Sequence, residues 1–471
     1  MIRAFKLLLV LMLLVFPAIL PAQQATPAPP VSPGTNPEFL RTADEILAEM
    51  SQILELPARA PLAKSIRSRE QIREYLVAQL KSQKDVEKRL ADQKVLEKFG
   101  LLPRGFELEK FLIALLSEQI AGLYDPKAGE FFIADWLDLA EQKFVMAHEL
   151  VHALHDQHFQ IESWLDAAKP NDDAQLARDA VLEGAALGAM FDYILRDQKR
   201  GIRDLPEMEK VIRLQMAGEF QSNPLFASAP MYIREALLFP YLAGTTFTQR
   251  ILKSGKGWAD FNKVFAQPPG STQHILHPDL YLAGISAKEV KLPALKPLLP
   301  KEWKELDQNV MGEFGFSLVL RQFLGEERAA QLAPAWSGDR YAILEHARTK
   351  RPLLIFRLRL ASAEDAARFH GQYSELLEKK YSERRELLRR PNFFSFTGED
   401  GGVFLQCAAE ECLVVEGASR QAFEKVARAA GMPAAPRVPR PGGAAQPKNA
   451  ARHGELPAPA VPGRAAAYPA L

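Results

Sequence analysis

Two histidines four residues apart, with a glutamate after the first, are the residues most able to do chemistry in this chain. They lie in Phe144-Val-Met-Ala-His-Glu-Leu-Val-His-Ala-Leu154. On a helix, His148 and His152 fall on one face, one turn apart, so both imidazoles reach a single zinc ion. Glu149 projects beside them, where a carboxylate takes a proton from a zinc-activated water. The neighbours Ala147, Leu150, Val151, Ala153 and Leu154 are uncharged, which suits a helix buried on its other faces. A catalytic zinc takes three protein ligands and keeps a position for water. The stretch Leu182-Glu-Gly-Ala-Ala186 supplies the third as Glu183, followed by small residues that let helices pack closely. Asp179, one turn earlier on the same face, is the expected hydrogen-bond acceptor for a ligand histidine.

His158 is the rival third ligand, six residues beyond His152 as in metzincins. The midway glycine which that arrangement needs is His155 here, and no Ser-x-Met turn follows. His155 lies near the ligand face and reads as a neighbour of the metal or as a plain helix-end histidine. For a donor to the developing oxyanion, the Pro268–Tyr281 loop offers His274, His277 and Tyr281, with Tyr241 as a competitor outside it. His277 is the expected catalytic partner of Glu149, because Pro278 holds its backbone extended. The hairpin expected over Gly122–Ile133 is either a rim strand to which an extended peptide adds, or a cover for the core.

These segments resemble the glutamate zincins (gluzincins), and more closely a largely uncharacterised group of exported bacterial zincin-like proteins. The likeness is carried by Ala147-His-Glu-Leu-Val-His-Ala-Leu-His-Asp-Gln-His-Phe159 and Leu182-Glu-Gly-Ala185. Three further pieces fit: Gly122-Leu-Tyr-Asp-Pro126, Pro268-Pro-Gly-Ser-Thr-Gln-His-Ile-Leu-His-Pro278 and Trp336-Ser-Gly-Asp-Arg-Tyr341. The resemblance implies a zinc peptidase fold with His148, His152 and Glu183 as metal ligands and Glu149 as base. Its substrate would be a peptide or protein. The spacing of 31 positions from His152 to Glu183 is longer than in the thermolysin pattern. The alternative is a zincin fold kept for binding or envelope assembly, with little or no hydrolysis.

The remaining chain must position this site. Its 471 residues, 47% hydrophobic, are enough for several cores. Lys and Arg number 59 against 58 Asp and Glu, so no overall field favours nucleic acid. Two cysteines exclude a disulfide scaffold or a multi-cysteine metal module. Residues 1–22, with Arg3, Lys6 and the apolar run Leu7–Phe16, read as a signal peptide; an uncleaved anchor is the alternative. Export to the periplasm or beyond follows, with no membrane span left after cleavage. In an oxidising compartment Cys407 and Cys412, on either side of a short hairpin loop, form a disulfide or remain two thiols at strand ends.

A proline-rich linker is expected over 23–37, a helical region over 38–105 and a zincin-like catalytic domain over 106–291. A C-terminal α+β domain (292–431) and a disordered Pro/Ala-rich tail (432–471) complete the chain. The expected fold class is α+β: a mostly helical metallopeptidase domain with a small hairpin or sheet, then the second domain with its antiparallel sheet. That second domain includes a helix over Ala363–Leu388.

Overall fold

The computed structural model describes residues 37–80, 83–206, 213 and 223–436. The expected leader, nearly all of the linker and the tail beyond residue 436 lie outside the described residues. Helix α1 (Pro37–Leu54) buries Phe39, Ala43, Ile46, Met50 and Leu54, a stripe at three- and four-residue spacing. Strand β1 (Ala63–Arg67), α2 (Arg69–Leu80), α3 (Gln83–Phe99) and α4 (Leu108–Gln119) follow. The hairpin is present as β2 (Gly122–Asp125) antiparallel to β3 (Glu130–Ala134). Asp125 Oδ1 accepts from the Lys127 amide at 2.9 Å, and Gly129 closes the turn at φ +60°. Strand β1 pairs in parallel on the other side of β3, giving the order β1-β3-β2. This strand differs from the all-helical expectation for the N-terminal region. Ala-Lys-Ser-Ile-Arg has one large apolar residue, and its charge is met across the sheet by Arg67 on Glu130 at 2.7 Å.

The helical layer continues with α5 (Leu139–Phe159), α6 (Ile161–Asp166), α7 (Asp172–Leu195), α8 (Pro224–Ser228) and α9 (Met231–Ser254). Short helices α10 (Trp258–Phe261), α11 (Thr272–Leu276) and α12 (Pro278–Leu282) complete it. Helices α7 and α9 pack through glycines. A methyl on Gly184 would lie 2.1 Å from the Gly244 carbonyl, and one on Gly244 would lie 2.1 Å from the Ala180 carbonyl. Only hydrogen side chains allow the two backbones this approach. Gly188 meets Thr248 one turn on, so the contacts step in the same direction along both helices.

The C-terminal part is a seven-stranded antiparallel sheet of order β4-β5-β6-β10-β9-β8-β7. Its strands are β4 (Trp303–Asn309), β5 (Trp336–His346), β6 (Pro352–Leu360), β7 (Arg385–Arg390), β8 (Phe393–Gly398), β9 (Gly401–Ala408) and β10 (Glu411–Ala418). Helices α13 (Gly312–Leu324) and α14 (Glu326–Leu332) link β4 to β5, α15 (Ala363–Lys380) links β6 to β7, and α16 (Arg420–Ala429) ends the sheet. Alternation along β6 sends Leu354, Phe356 and Leu358 into the large core shared with the helical layer. Leu353 and Ile355 face a second core, where α16 contributes Phe423 and Val426. The fold is therefore α+β, a helical layer with a small sheet followed by a sheet-based part.

The helix expected over Ala363–Leu388 ends at Lys380, and Arg385–Arg390 forms the edge strand β7 instead. Cys407 and Cys412 oppose each other in the β9–β10 register, 4.0 Å apart at Cα, with their sulfurs bonded. The hairpin loop is Ala409-Glu410, shorter than the four residues between the cysteines, with Ala409 at φ +48°. Among the described residues no helix is long and apolar enough to cross a membrane.

Candidate metal centre

Helix α5 starts on a reciprocal cap. Asp138 accepts from the Glu141 amide at 2.8 Å, and Glu141 accepts from the Asp138 amide at 3.2 Å. It ends at Gln160, in the left-handed region at φ 52°. Between these ends Met146, Ala147, Leu150, Val151, Ala153 and Leu154 are fully buried, so the helix runs through the core. His148 and His152 leave it on the side facing α7, and Glu183 comes from α7 to meet them.

The three side chains form a compact triangle. Glu183 Oε2 lies 3.1 Å from His148 Nε2 and 3.5 Å from His152 Nε2, and the two nitrogens are 3.3 Å apart. A tetrahedral zinc about 2.0–2.1 Å from each donor sets the donors roughly 3.3 Å apart, so the triangle has the dimensions of a zinc face. All three residues are buried. Burial opposes the charge on Glu183, but His152 and His148 hold its carboxyl down to about 2. Burial lowers the His152 pKa, and Glu183 more than offsets this to raise it. Two imidazoles and an ionised carboxylate are the donors a borderline cation takes.

Glu149 is fully buried beside this triangle. Its Oε2 accepts from the Tyr124 amide at 2.9 Å, while its Oε1 has no hydrogen-bond partner among the described residues. Burial, with Glu183 adding, pushes its carboxyl up against the pull of the two histidines. A buried carboxylate oxygen without a partner is costly unless something else occupies the site, and water at a metal would satisfy it. The segment Gly122-Leu-Tyr-Asp builds this arrangement. A methyl on Gly122 would lie 2.4 Å from Val145 Cγ1, so only glycine lets β2 approach α5. Tyr124 Oη then donates to Asp156 Oδ2 at 2.8 Å, tying the strand to α5 a second time. Strand β2 is the sheet edge expected of a rim strand, but its residues are buried and the Tyr124 amide is already taken.

Other expected residues stand elsewhere. Asp179 is buried one turn before Glu183 on α7, and the Nε2 atoms of both imidazoles turn to Glu183. His158 Nε2 lies 2.8 Å from the Pro57 carbonyl, outside the triangle. His155 is buried against Phe265, ring centroids 4.7 Å apart. Residues 272–282 form the short helices α11 and α12 where a loop was expected. His277 sits between them with Nε2 2.7 Å from Glu313 Oε1, so the structure pairs it with α13 rather than bringing it into the triangle. His274 Nε2 is 2.8 Å from the Ile285 carbonyl, and Tyr281 donates to the Gln267 carbonyl at 2.7 Å. Tyr241 is the aromatic side chain beside the triangle: it is fully buried, its ring 6.2 Å from that of His148 at 27°. Its place on α9, one turn before the close contact at Gly244, follows from the glycine packing and not from any local sequence signal.

A second acidic group, Asp92, Asp172 and Asp307, has its own cation. Lys88 Nζ lies 2.5, 3.3 and 2.8 Å from the three carboxylates.

Residues 111–204 match the family model of the M78 peptidases, described as an IrrE N-terminal-like domain. Residues 299–427 match a domain of unknown function, DUF8575. No curated protein and no solved structure matches the chain. The first match spans both helices of the triangle, and residues 111–204 are accordingly a zincin-like domain of the metallopeptidase type.

Proposed function

We propose that this protein is an exported zinc-dependent peptidase of the glutamate-zincin kind, with His148, His152 and Glu183 as its metal ligands. The observation that carries the reading is the triangle of donors, with Glu149 Oε1 buried and unpartnered beside it. Zinc, when bound, polarises a water and the peptide carbonyl. Glu149 accepts the proton of the attacking water at Oε1 and passes it to the leaving amine. The Tyr124 amide fixes the other oxygen, which sets the direction of Oε1. Tyr241, with its ring 6.2 Å from that of His148, rather than His277, donates to the carbonyl oxygen as charge develops. The buried walls keep bulk water from the reacting groups. Export rests on the leader read from residues 1–22, and the Cys407–Cys412 disulfide agrees with an oxidising compartment.

The test is digestion of a peptide library by the zinc-loaded full chain and by Glu149→Gln. Removal of a positioned general base costs about 10²–10⁴-fold in rate. Cleavage by the wild type and its loss in Glu149→Gln, with zinc retained, is the expected result. Zinc binding without cleavage of any peptide would leave the binding or assembly module as the correct reading. Equal cleavage by both proteins would place the active site elsewhere.

A further inference from the structure

Where α3 meets the C-terminal sheet, a cavity of about 480 Å³ has a wall of five cations, Lys94, Lys98, Arg104, Lys350 and Lys380. Only two acidic residues, Glu97 and Glu399, share that wall. Glu97 is occupied by neutral donors, Gln93 Nε2 at 2.8 Å and the Gly105 amide at 3.0 Å. Glu399 pairs with Arg104 at 2.8 Å. The remaining acids stand outside the wall, and two of them are each shared by two cations. Glu345 takes both Lys94 and Lys350, and Asp400 takes both Lys98, at 3.1 Å, and Arg104, at 2.8 Å. Lys380 pairs with Glu416 at 2.7 Å.

Lys98 is buried at this wall, and the Lys380 side chain is 9% exposed. Burial and the neighbouring Lys350 lower the pKa of Lys94. Burial and Lys98 lower that of Lys380 against the pull of Glu416. Lysines drawn from α3, the β5–β6 loop and the end of α15 are thus held close enough to repel, around space large enough for a small molecule. An anion in that space would relieve the repulsion, and compact ammonium groups on several sides suit an oxyanion of more than one charge.

We propose that this cavity binds a small, multiply charged oxyanion, a phosphate or polycarboxylate group. The site is separate from the metal triangle and independent of whether the protein hydrolyses peptides.

The experiment is calorimetric titration of the full chain at low ionic strength with inorganic phosphate, benzene-1,3,5-tricarboxylate and acetate. Phosphate or the tricarboxylate should bind at least about tenfold more tightly than acetate, and whichever is tighter identifies the source of the charge. Lys350→Gln and Lys94→Gln should each weaken that binding about fivefold or more. Lys94→Arg should retain it, and Arg250→Gln, an exposed cation paired with Asp279, should leave it unchanged. Lys350 is 68% exposed at its side chain, so its substitution leaves the fold intact, and thermal unfolding checks this. The proposal is overturned if neither multivalent anion outcompetes acetate, or if binding is equal in the Lys94 and Lys350 variants. It is also overturned if an acidic peptide binds there while both small anions do not.

Discussion

The Tyr124 amide donates to Glu149 Oε2 across 2.9 Å and leaves Glu149 Oε1 buried without a partner among the described residues. One backbone hydrogen bond from an edge strand thereby orients the carboxylate to which the proposed mechanism gives the proton. The contact exists because β2 lies against α5 at Gly122, where a methyl group would reach to 2.4 Å from Val145 and 3.5 Å from Glu149 Cγ. Gly122→Ala should push the strand off the helix. Peptide hydrolysis should fall at least about tenfold while zinc content stays near that of the wild type, because the ligands come from other elements. Metal analysis beside a rate measurement checks this; full activity in the variant would detach the strand from the mechanism.

Glu183 depends on a different glycine contact. Gly184→Ala would set a methyl 2.1 Å from the Gly244 carbonyl, a backbone atom that cannot rotate away. Separation of α7 from α9 should cost about 1–3 kcal/mol or more in stability and weaken zinc binding by moving the neighbouring carboxylate. Gly188→Ala meets a Thr248 methyl at 3.1 Å and should be milder in both respects. Denaturant unfolding and zinc titration of the two variants rank them; equal effects would contradict the packing argument.

A pH effect is expected from Asp173, which joins α7 to α11. Its carboxyl accepts from the Thr272 amide at 3.2 Å and from Thr272 Oγ1. Burial, with Asp339 and Glu313 adding, pushes it up to about 7 against the Thr272 hydrogen bonds. The folded chain therefore holds a proton that the unfolded chain releases near 3.8. The stabilisation this gives is complete below the unfolded value and is lost as pH rises through about 7. Asp173→Asn, which keeps an acceptor and removes the titration, should flatten the decline in stability between about pH 4 and pH 7. The variant should gain on the wild type by about 2–4 kcal/mol over that range. Parallel unfolding curves at all pH values would rule out this role for Asp173.

What the sequence made readable followed from short-range rules. The metal helix shows its cap at Asp138 and Glu141 and its ligands at a one-turn spacing, and Glu183 sits among the small residues that let α9 approach. Strands β5, β6, β8, β9 and β10 are apolar runs between turns, and each forms where such a run occurs. Strands β1, β4 and β7 escaped because they are charged edge strands, Ala-Lys-Ser-Ile-Arg, Trp-Lys-Glu-Leu-Asp-Gln-Asn and Arg-Glu-Leu-Leu-Arg-Arg, whose pairing is decided by distant partners. Pro278 speaks only for the backbone of His277, whose Nε2 partner Glu313 lies 36 residues on. Tyr241 reaches His148 only through the α7–α9 contact. No local pattern encodes a pairing of that kind.

The most direct test of the metal centre is anomalous scattering at the zinc edge from crystals of the full chain grown with zinc. The account predicts one strong peak inside the triangle, about 2.0–2.2 Å from His148 Nε2, His152 Nε2 and a Glu183 oxygen, and its loss in His152→Ala. A peak only at Asp92, Asp172 and Asp307, or a zinc bound by His148 and His152 with Glu183 turned away, would contradict it.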